Sequence, residues 1–175
     1  MSGIYRLPEL ASANQLLRGL AGGWQINAIA TAQIGTPINA PSGAFATGVN
    51  PRVHNPTPSH YFNTCYIDTN GNKQNCALDS QPAWIQQPPF TLNTLPTRMA
   101  SVRLKTPTTL DLSLFKSFSI MNPAAVQFRL EVFNLTNRTY LGAPNTALTN
   151  SSFGQQSTAQ INDPRTVQLA LRLQF

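Results

Sequence analysis

The chain has 175 residues and a mass of 19.1 kDa, with 12 lysines and arginines against 6 aspartates and glutamates. Charged residues make up only 10% of the chain, compared with about 25% in an average soluble domain. The 14 prolines and 10 glycines favour strands and turns and exclude a helix bundle. The net charge of +6 is spread singly along the sequence, so nucleic-acid binding, which needs a concentrated basic patch, is not expected.

The first elements are a short strand, a short helix and a longer strand. Residues 2–7 are a candidate strand, and residues 12–20 carry an N-cap and apolar residues at helical spacing, followed by a stop at Gly22-Gly23. From residue 24 to residue 34, apolar and polar side chains alternate, which predicts a strand, and Ile29 interrupts the polar row.

Three further strands, in the second half of the chain, alternate more clearly. Their apolar rows are Leu110, Leu112 and Leu114; Val126, Phe128, Leu130 and Val132; and Val167, Leu169, Leu171, Leu173 and Phe175. Their opposite rows are Thr109, Asp111 and Ser113; Gln127, Arg129 and Glu131; and Gln168, Ala170, Arg172 and Gln174. One face of each strand is therefore expected to meet water, and the other an apolar environment.

The length of these strands discriminates between two kinds of sheet. Strands of soluble proteins have a most common length of about 5 to 6 residues. About ten residues, at roughly 3.3 Å each and tilted by about 40°, cover the roughly 25 Å apolar band of an outer-membrane barrel. The pattern thus predicts an all-β fold, an antiparallel segment of a transmembrane β-barrel. A long-stranded soluble sheet with one dry face is the alternative.

The connections alternate in length, as they do in outer-membrane barrels, where periplasmic turns are short and extracellular loops long. Residues 119–124, with Asn122-Pro123 as the turn, form a short periplasmic link. The stretches of about 36–107 and 137–164 are long and are expected to be extracellular loops of a single barrel domain spanning residues 1–175.

Aromatic residues mark one end of the predicted strands. With the C-terminus placed on the periplasmic side, as is usual for these barrels, the last strand descends and the others alternate in direction. Four aromatic residues then share the lipid-facing parity and lie at the periplasmic rim, as an interfacial girdle would. They are Trp24, Phe118, Phe128 and Phe175. Lys116 has the same parity, and its long stem is expected to carry the ammonium to the lipid headgroups.

The two cysteines, Cys65 and Cys76, are the candidates for a disulfide. A two-residue hairpin turn at Asn70-Gly71 would place them directly opposite each other, within bonding reach. An extracellular location permits the bond.

The sequence gives little support for a metal site or a catalytic site, and neither a metal nor a cofactor is expected. His54 and His60 share a loop with the cysteines at spacings that match no zinc pattern. Asp68, Asn70 and Asn72 resemble a calcium loop only faintly. No nucleophile, metalloprotease or phosphate-loop motif is present, so the chain is not expected to be an enzyme.

The two carboxylates on the predicted lumen faces could form a pair, but a catalytic role is not expected for them. Asp111 and Glu131 are expected to be solvated or paired with Arg129 or Arg172.

Four motifs of the chain form a recognisable combination: GGWQIN at 22–27, QIGTP at 33–37, LDLSLFK at 110–116 and QFRLEVFNLTN at 127–137. Together they resemble the C-terminal end of TonB-dependent outer-membrane receptors, of the Oar-like type that carries a carboxypeptidase-regulatory-like domain. The last residues also resemble the signal read by the barrel assembly machinery, at Gln168, Ala170, Leu173 and Phe175, with alanine where glycine is usual.

This resemblance implies about five strands of a barrel of roughly 22 around a plug, with ligand uptake driven by TonB. The implied partners are outer-membrane lipid, the barrel assembly machinery, the remainder of the barrel and plug, and TonB through segments that the chain lacks. Two rivals stay open. One is a small self-contained eight-stranded barrel, and the other is a secreted β-sandwich binding module whose leucine rows are covered by a second sheet.

Overall fold

The structure is a computed structural model that describes residues 1–8, 14, 19–121 and 123–175. Within these ranges there are eleven strands, and residues 19–21 are helical. The other residues of the predicted helix, except Asn14, lie outside the described ranges, as does Asn122 of the predicted turn. No helix in the described residues is both long enough and apolar enough to cross a membrane.

The strands are numbered in chain order. They are β1 (Ser2–Arg6), β2 (Gln25–Ala32), β3 (Pro37–Asn39), β4 (Ala44–Ala46), β5 (Tyr66–Ile67), β6 (Lys73–Gln74), β7 (Trp84–Gln86), β8 (Arg98–Arg103), β9 (Thr108–Met121), β10 (Ala124–Phe133) and β11 (Thr166–Gln174).

The five predicted strands are confirmed as β1, β2, β9, β10 and β11, and they form one antiparallel sheet in the order β1-β2-β9-β10-β11. Strand β9 has 14 residues, β10 has 10 and β11 has 9, well above the usual length of about 5 to 6. The all-β antiparallel fold class predicted from the sequence is therefore confirmed.

The register aligns the apolar rows of neighbouring strands. Leu130 faces Leu114 on one side and Leu169 on the other, and the same row continues through Ile26 to Tyr5. Because side chains alternate between faces with a period of two, one matched row aligns all the others. All five strands therefore share one apolar face and one polar face.

The sheet is open. Among the described residues, strand β1 pairs only with β2, and β11 pairs only with β10, so the two outer strands are not joined to each other. Each presents a free row of backbone donors and acceptors along its outer edge.

The chain divides into two compact units. The sheet unit comprises Met1–Gln33, Pro107–Thr139 and Asn162–Phe175 and contains the five-stranded sheet. The loop unit comprises Ile34–Thr106 and Tyr140–Ile161, the stretches predicted to be loops, and it contains a two-stranded sheet, β3-β8, and a four-stranded sheet, β4-β7-β5-β6.

The loop unit has its own hydrophobic core, centred on Phe62. The Phe62 ring makes edge-to-face contacts with Trp84 at 6.3 Å and with Phe153 at 5.2 Å, measured between ring centroids. Leu148 is buried in the same cluster, so both segments of the loop unit contribute to one core. The buried Trp84 indole donates to the Asn63 carbonyl oxygen at 2.7 Å, which satisfies its polar group.

Candidate functional site

The apolar face of the sheet is the first candidate surface. At β11, Leu169 and Leu171 are 69% and 74% exposed, and Val167 and Leu173 are exposed as well. The sheet unit contains no second sheet among its described residues to cover this face. A β-sandwich would bury these leucines, so the exposed row argues against that rival. A contiguous apolar surface of this kind marks contact with a partner or with lipid.

The opposite face carries most of the charged residues of the sheet. Arg129 forms an ion pair with Glu131, with 3.8 Å between guanidinium nitrogen and carboxylate oxygen, and stacks over the Phe115 ring at 4.6 Å. Asp111 accepts a hydrogen bond from the Asn134 backbone amide at 2.8 Å. Glu131 thus pairs with one of its two predicted partners, while Asp111 has a structural bond. The two carboxylates serve separate contacts rather than a shared site.

Three of the predicted girdle residues cluster around Lys116. Phe128 lies opposite Lys116 in the register and makes an edge-to-face contact with Trp24, with 5.9 Å between ring centroids. The Lys116 ammonium lies 5.3 Å from the Trp24 ring and 5.2 Å from the Phe118 ring. The fourth residue, Phe175, follows β11 and is exposed. The girdle itself stays a prediction, because no membrane plane is defined.

The expectation that Lys116 extends toward lipid headgroups is wrong. Lys116 is only 5% exposed, and its ammonium donates a hydrogen bond to the backbone carbonyl of Gly22. The turn before β2 leaves the Gly22 carbonyl free to accept this bond. In that turn Gly23 adopts a left-handed conformation with φ 72°, and the Trp24 indole donates to the Leu20 carbonyl at 2.8 Å. The lysine therefore holds the start of β2 against β9, surrounded by aromatic rings.

The residues proposed as the assembly signal lie on β11 and just after it. Gln168 and Ala170 share the polar face, opposite Glu131 and Arg129, whereas Leu173 is on the apolar face opposite Val126. Since β11 is an outer strand, its backbone edge and side chains are accessible for recognition.

Asn134, in the motif that follows β10, is a structural centre that the sequence reasoning missed. Its side chain donates to the Arg138 and Asp163 carbonyl oxygens at 3.0 and 3.1 Å and accepts from the Arg138 amide at 3.0 Å. Its backbone amide bonds to Asp111. Asn134 therefore connects β9, the turn after β10 and the segment that leads into β11. The available signal was an asparagine directly after the alternating strand, because asparagine tolerates the left-handed region, and Asn134 adopts it with φ 50°.

Substitution of Asn134 by alanine is expected to lower the free energy of unfolding by about 2–4 kcal/mol, because three hydrogen bonds of the buried side chain are lost and alanine strains a positive φ. Urea titration of the membrane-assembled protein, followed by gel mobility, measures this loss. An Asn134→Gly variant removes the side chain without the backbone strain and should be less destabilised. Wild-type stability in the alanine variant would contradict this structural role.

Cys65 and Cys76 form a disulfide, with Cα atoms 4.3 Å apart, but the predicted two-residue turn between them is wrong. Tyr66 pairs with Gln74, so Cys65 lies opposite Asn75 and not opposite Cys76. The turn has three residues between Asp68 and Asn72, with Gly71 at φ 86°. A three-residue loop with a left-handed glycine is the next commonest hairpin type after the two-residue loop. After the second strand of the hairpin, Asn75 bends the chain with φ 54°.

Asp68 organises that turn through its carboxylate. It accepts hydrogen bonds from the backbone amides of Asn72 at 2.8 Å and Asn70 at 2.9 Å. The Asn72 amide is the main cause that lowers the pKa of the Asp68 carboxyl below its usual 3.8. The stabilisation that Asp68 gives the turn is therefore complete above that usual value and is lost as the pH falls through the lower, folded-state pKa.

Removal of the disulfide in a Cys65→Ser/Cys76→Ser variant is expected to destabilise the loop unit by about 2–3 kcal/mol, because the unfolded loop regains conformational freedom. Pulse proteolysis across a urea series measures the loss. A reducing agent should produce the same loss in the wild type and none in the double variant. Two titratable thiols in the oxidised wild type would contradict the pairing.

The loop unit also contains two neighbouring clefts that share Arg52, Val53 and His54 in their walls. The first has a volume of about 430 Å³ and includes a His60–Asp79 pair, with 2.9 Å between imidazole nitrogen and carboxylate oxygen. The same oxygen of Asp79 accepts from the Thr64 amide at 2.8 Å. His54 and His60 thus line one cleft, while the disulfide takes both cysteines, and no group of three potential metal ligands occurs in the described residues.

The second cleft has a volume of about 350 Å³ and is lined by donors. The Tyr61 hydroxyl donates to the Arg103 carbonyl oxygen at 3.0 Å, and the Arg103 guanidinium donates to the Gly35 carbonyl oxygen at 3.1 Å. Burial raises the pKa of the Tyr61 hydroxyl, which therefore stays a neutral donor. The sequence reasoning missed this cleft, because its residues are far apart in the chain.

Residues 1–168 match the family model of the outer membrane beta barrel domain. The chain belongs to the outer membrane beta barrel domain family. No curated protein and no solved structure matches it. The predicted location in the outer membrane of a Gram-negative bacterium is confirmed by this membership. Barrels of the outer membrane have an apolar outer band and a polar interior, and the two faces of this sheet differ in the same way.

Proposed function

We propose that this barrel domain is part of the wall of a TonB-dependent receptor that binds a ligand at the cell surface and imports it across the outer membrane. The motifs that resemble such receptors support the proposal, and the structure gives several of them physical roles. Gly22 and Trp24 form the contacts around Lys116, Asn134 fixes the end of β10, and Gly35 permits a close backbone approach in the loop unit.

The single observation that carries the proposal is the open sheet. Within a bilayer, every backbone polar group has to be hydrogen-bonded by protein, so a membrane sheet has to close into a barrel. Five strands with unpaired edges at β1 and β11 do not close, which favours a wall completed by further strands. A self-contained eight-stranded barrel would pair its first strand with its last, and the described residues show no such pairing.

The loop unit gives the proposal its ligand-binding part. Extracellular loops of outer-membrane barrels are longer than the periplasmic turns, and here the long connections fold around their own core. We assign the remaining partners accordingly. Lipid contacts the apolar face, the barrel assembly machinery reads β11, the plug occupies the lumen, and TonB acts through segments other than those described here.

An epitope inserted between Asn70 and Gly71, in the exposed turn of the loop unit, tests this function in cells. With the epitope placed in the chromosomal gene, the proposal predicts that antibody reaches the epitope on intact cells and that formaldehyde links the complete tagged receptor to TonB. Cells lacking TonB provide the control. A tagged species that migrates as a heat-modifiable monomer of about 19 kDa without a TonB adduct would contradict a receptor and favour a self-contained barrel.

A further inference from the structure

The loop unit carries an excess of positive charge that its own carboxylates do not neutralise. It contains five lysines and arginines, which are Arg52, Lys73, Arg98, Arg103 and Lys105, against two aspartates. Both aspartates are engaged elsewhere, since Asp68 holds the hairpin turn and Asp79 pairs with His60 and with the Thr64 amide.

The donors converge at the second cleft. Its lining residues include Arg52, His54, Tyr61 and Arg103, and none of the lining residues carries a carboxylate. In the described part of the chain, the side chains of Arg52 and His54 have no hydrogen-bond or ion-pair partner, and both residues are exposed. Two guanidinium groups are well suited to planar or tetrahedral oxyanions, which they bind with paired hydrogen bonds.

We propose that this cleft binds an anionic group with several oxygen atoms, a carboxylate or a phosphate, on the ligand of the receptor. Arg52 and Arg103 supply the charge, and His54 adds a ring N–H donor. Val53, Pro56 and Val102 contribute an apolar wall for the body of the ligand. The first cleft is a poorer anion site, because Asp79 lies in its wall and would repel a negative charge.

The role of the cleft in uptake rests on the proposed function, but binding is measurable without import. Isothermal titration of the full chain in detergent with citrate and, separately, with inorganic phosphate distinguishes the two oxyanion classes. We expect at least one of them to bind, and Arg52→Ala and Arg103→Ala each to weaken that binding about tenfold or more. Arg52→Lys, which keeps the charge without the planar fork, should lose less than Arg52→Ala.

The control is Arg98→Ala, which removes an exposed cation of the same unit that does not line the cleft. Because Arg103 also bonds to the Gly35 carbonyl, pulse proteolysis checks that its variant is folded, and Arg52→Ala gives an independent reading. Absence of binding by both probes, or an equal loss in Arg98→Ala, would overturn the site. Anion binding that persists in a protein without a TonB adduct would separate this inference from the receptor proposal.

Discussion

An arginine in place of Leu114 is expected to destabilise the membrane-assembled protein by about 2–4 kcal/mol, the cost of a cation on the lipid face near the bilayer midplane. Leu114 lies in the middle of the apolar face, between Ile26 and Leu130. The neighbouring Ser113 faces Asn27 and Glu131 on the polar side, so Ser113→Arg is expected to change stability by less than about 0.5 kcal/mol. Urea titration followed by gel mobility measures both variants.

The dependence of the arginine cost on depth in the bilayer distinguishes contact with lipid from burial against protein. Ile120 has the parity of Leu114 but lies near the turn between β9 and β10 and is exposed. In a bilayer, the cost of arginine falls to about 0–1 kcal/mol near the interface, so Ile120→Arg should be much milder than Leu114→Arg. Equal losses in Leu114→Arg and Ser113→Arg would show that the two faces of β9 have the same environment and would contradict the assignment of faces.

The substitution Gly35→Ala, which adds a single methyl group, is expected to destabilise the loop unit by about 3 kcal/mol, at the upper end of overpacking effects. A Cβ atom there would lie 1.7 Å from the Leu104 carbonyl oxygen, which is backbone and has no rotamer to change. The Leu104 amide also bonds to the Thr36 carbonyl at 2.9 Å, so the two segments cannot separate without loss of pairing beside β3 and β8.

Gly142→Ala is the matched control, because its Cβ would meet Ser157 at an ordinary 3.5 Å in the same unit. Pulse proteolysis in urea, with cleavage detected in the loop unit, compares the two variants. The Gly142 variant should unfold at nearly the wild-type urea concentration. A Gly35→Ala protein as resistant as the control would mean that the backbone contact with Leu104 is dispensable.

The sheet was predictable because its signal is periodic and repeated. Alternation alone gave the faces of β9, β10 and β11, and the register shows that Leu130 meets Leu114 and Leu169 across the strands. The sequence also predicted the pairing of Cys65 with Cys76, which the structure shows. The prediction assumed a two-residue turn between them, and that turn length is wrong. A one-residue change in turn length moves the register, and the left-handed Asn75 compensates for that change.

The remaining features depend on contacts between distant segments, which one-dimensional patterns do not report. Lys116 bonds to Gly22, 94 residues away, and Asn134 reaches Asp163 across 29 residues. The donor-lined cleft likewise combines residues near 52 with Arg103. In each case the residue types were visible in the sequence, but their partners were determined by the tertiary fold.

Depth-resolved quenching of single fluorescent residues on β9 tests most directly whether one face of the sheet contacts hydrocarbon. A fluorescent non-natural amino acid is placed at Leu112 or at Ser113 in the membrane-assembled protein and exposed to doxyl-labelled lipids and to aqueous iodide. We predict quenching by the lipid label at position 112 and by iodide at position 113. Equal quenching at both positions, or protection of position 112 from both quenchers, would contradict a lipid-facing wall.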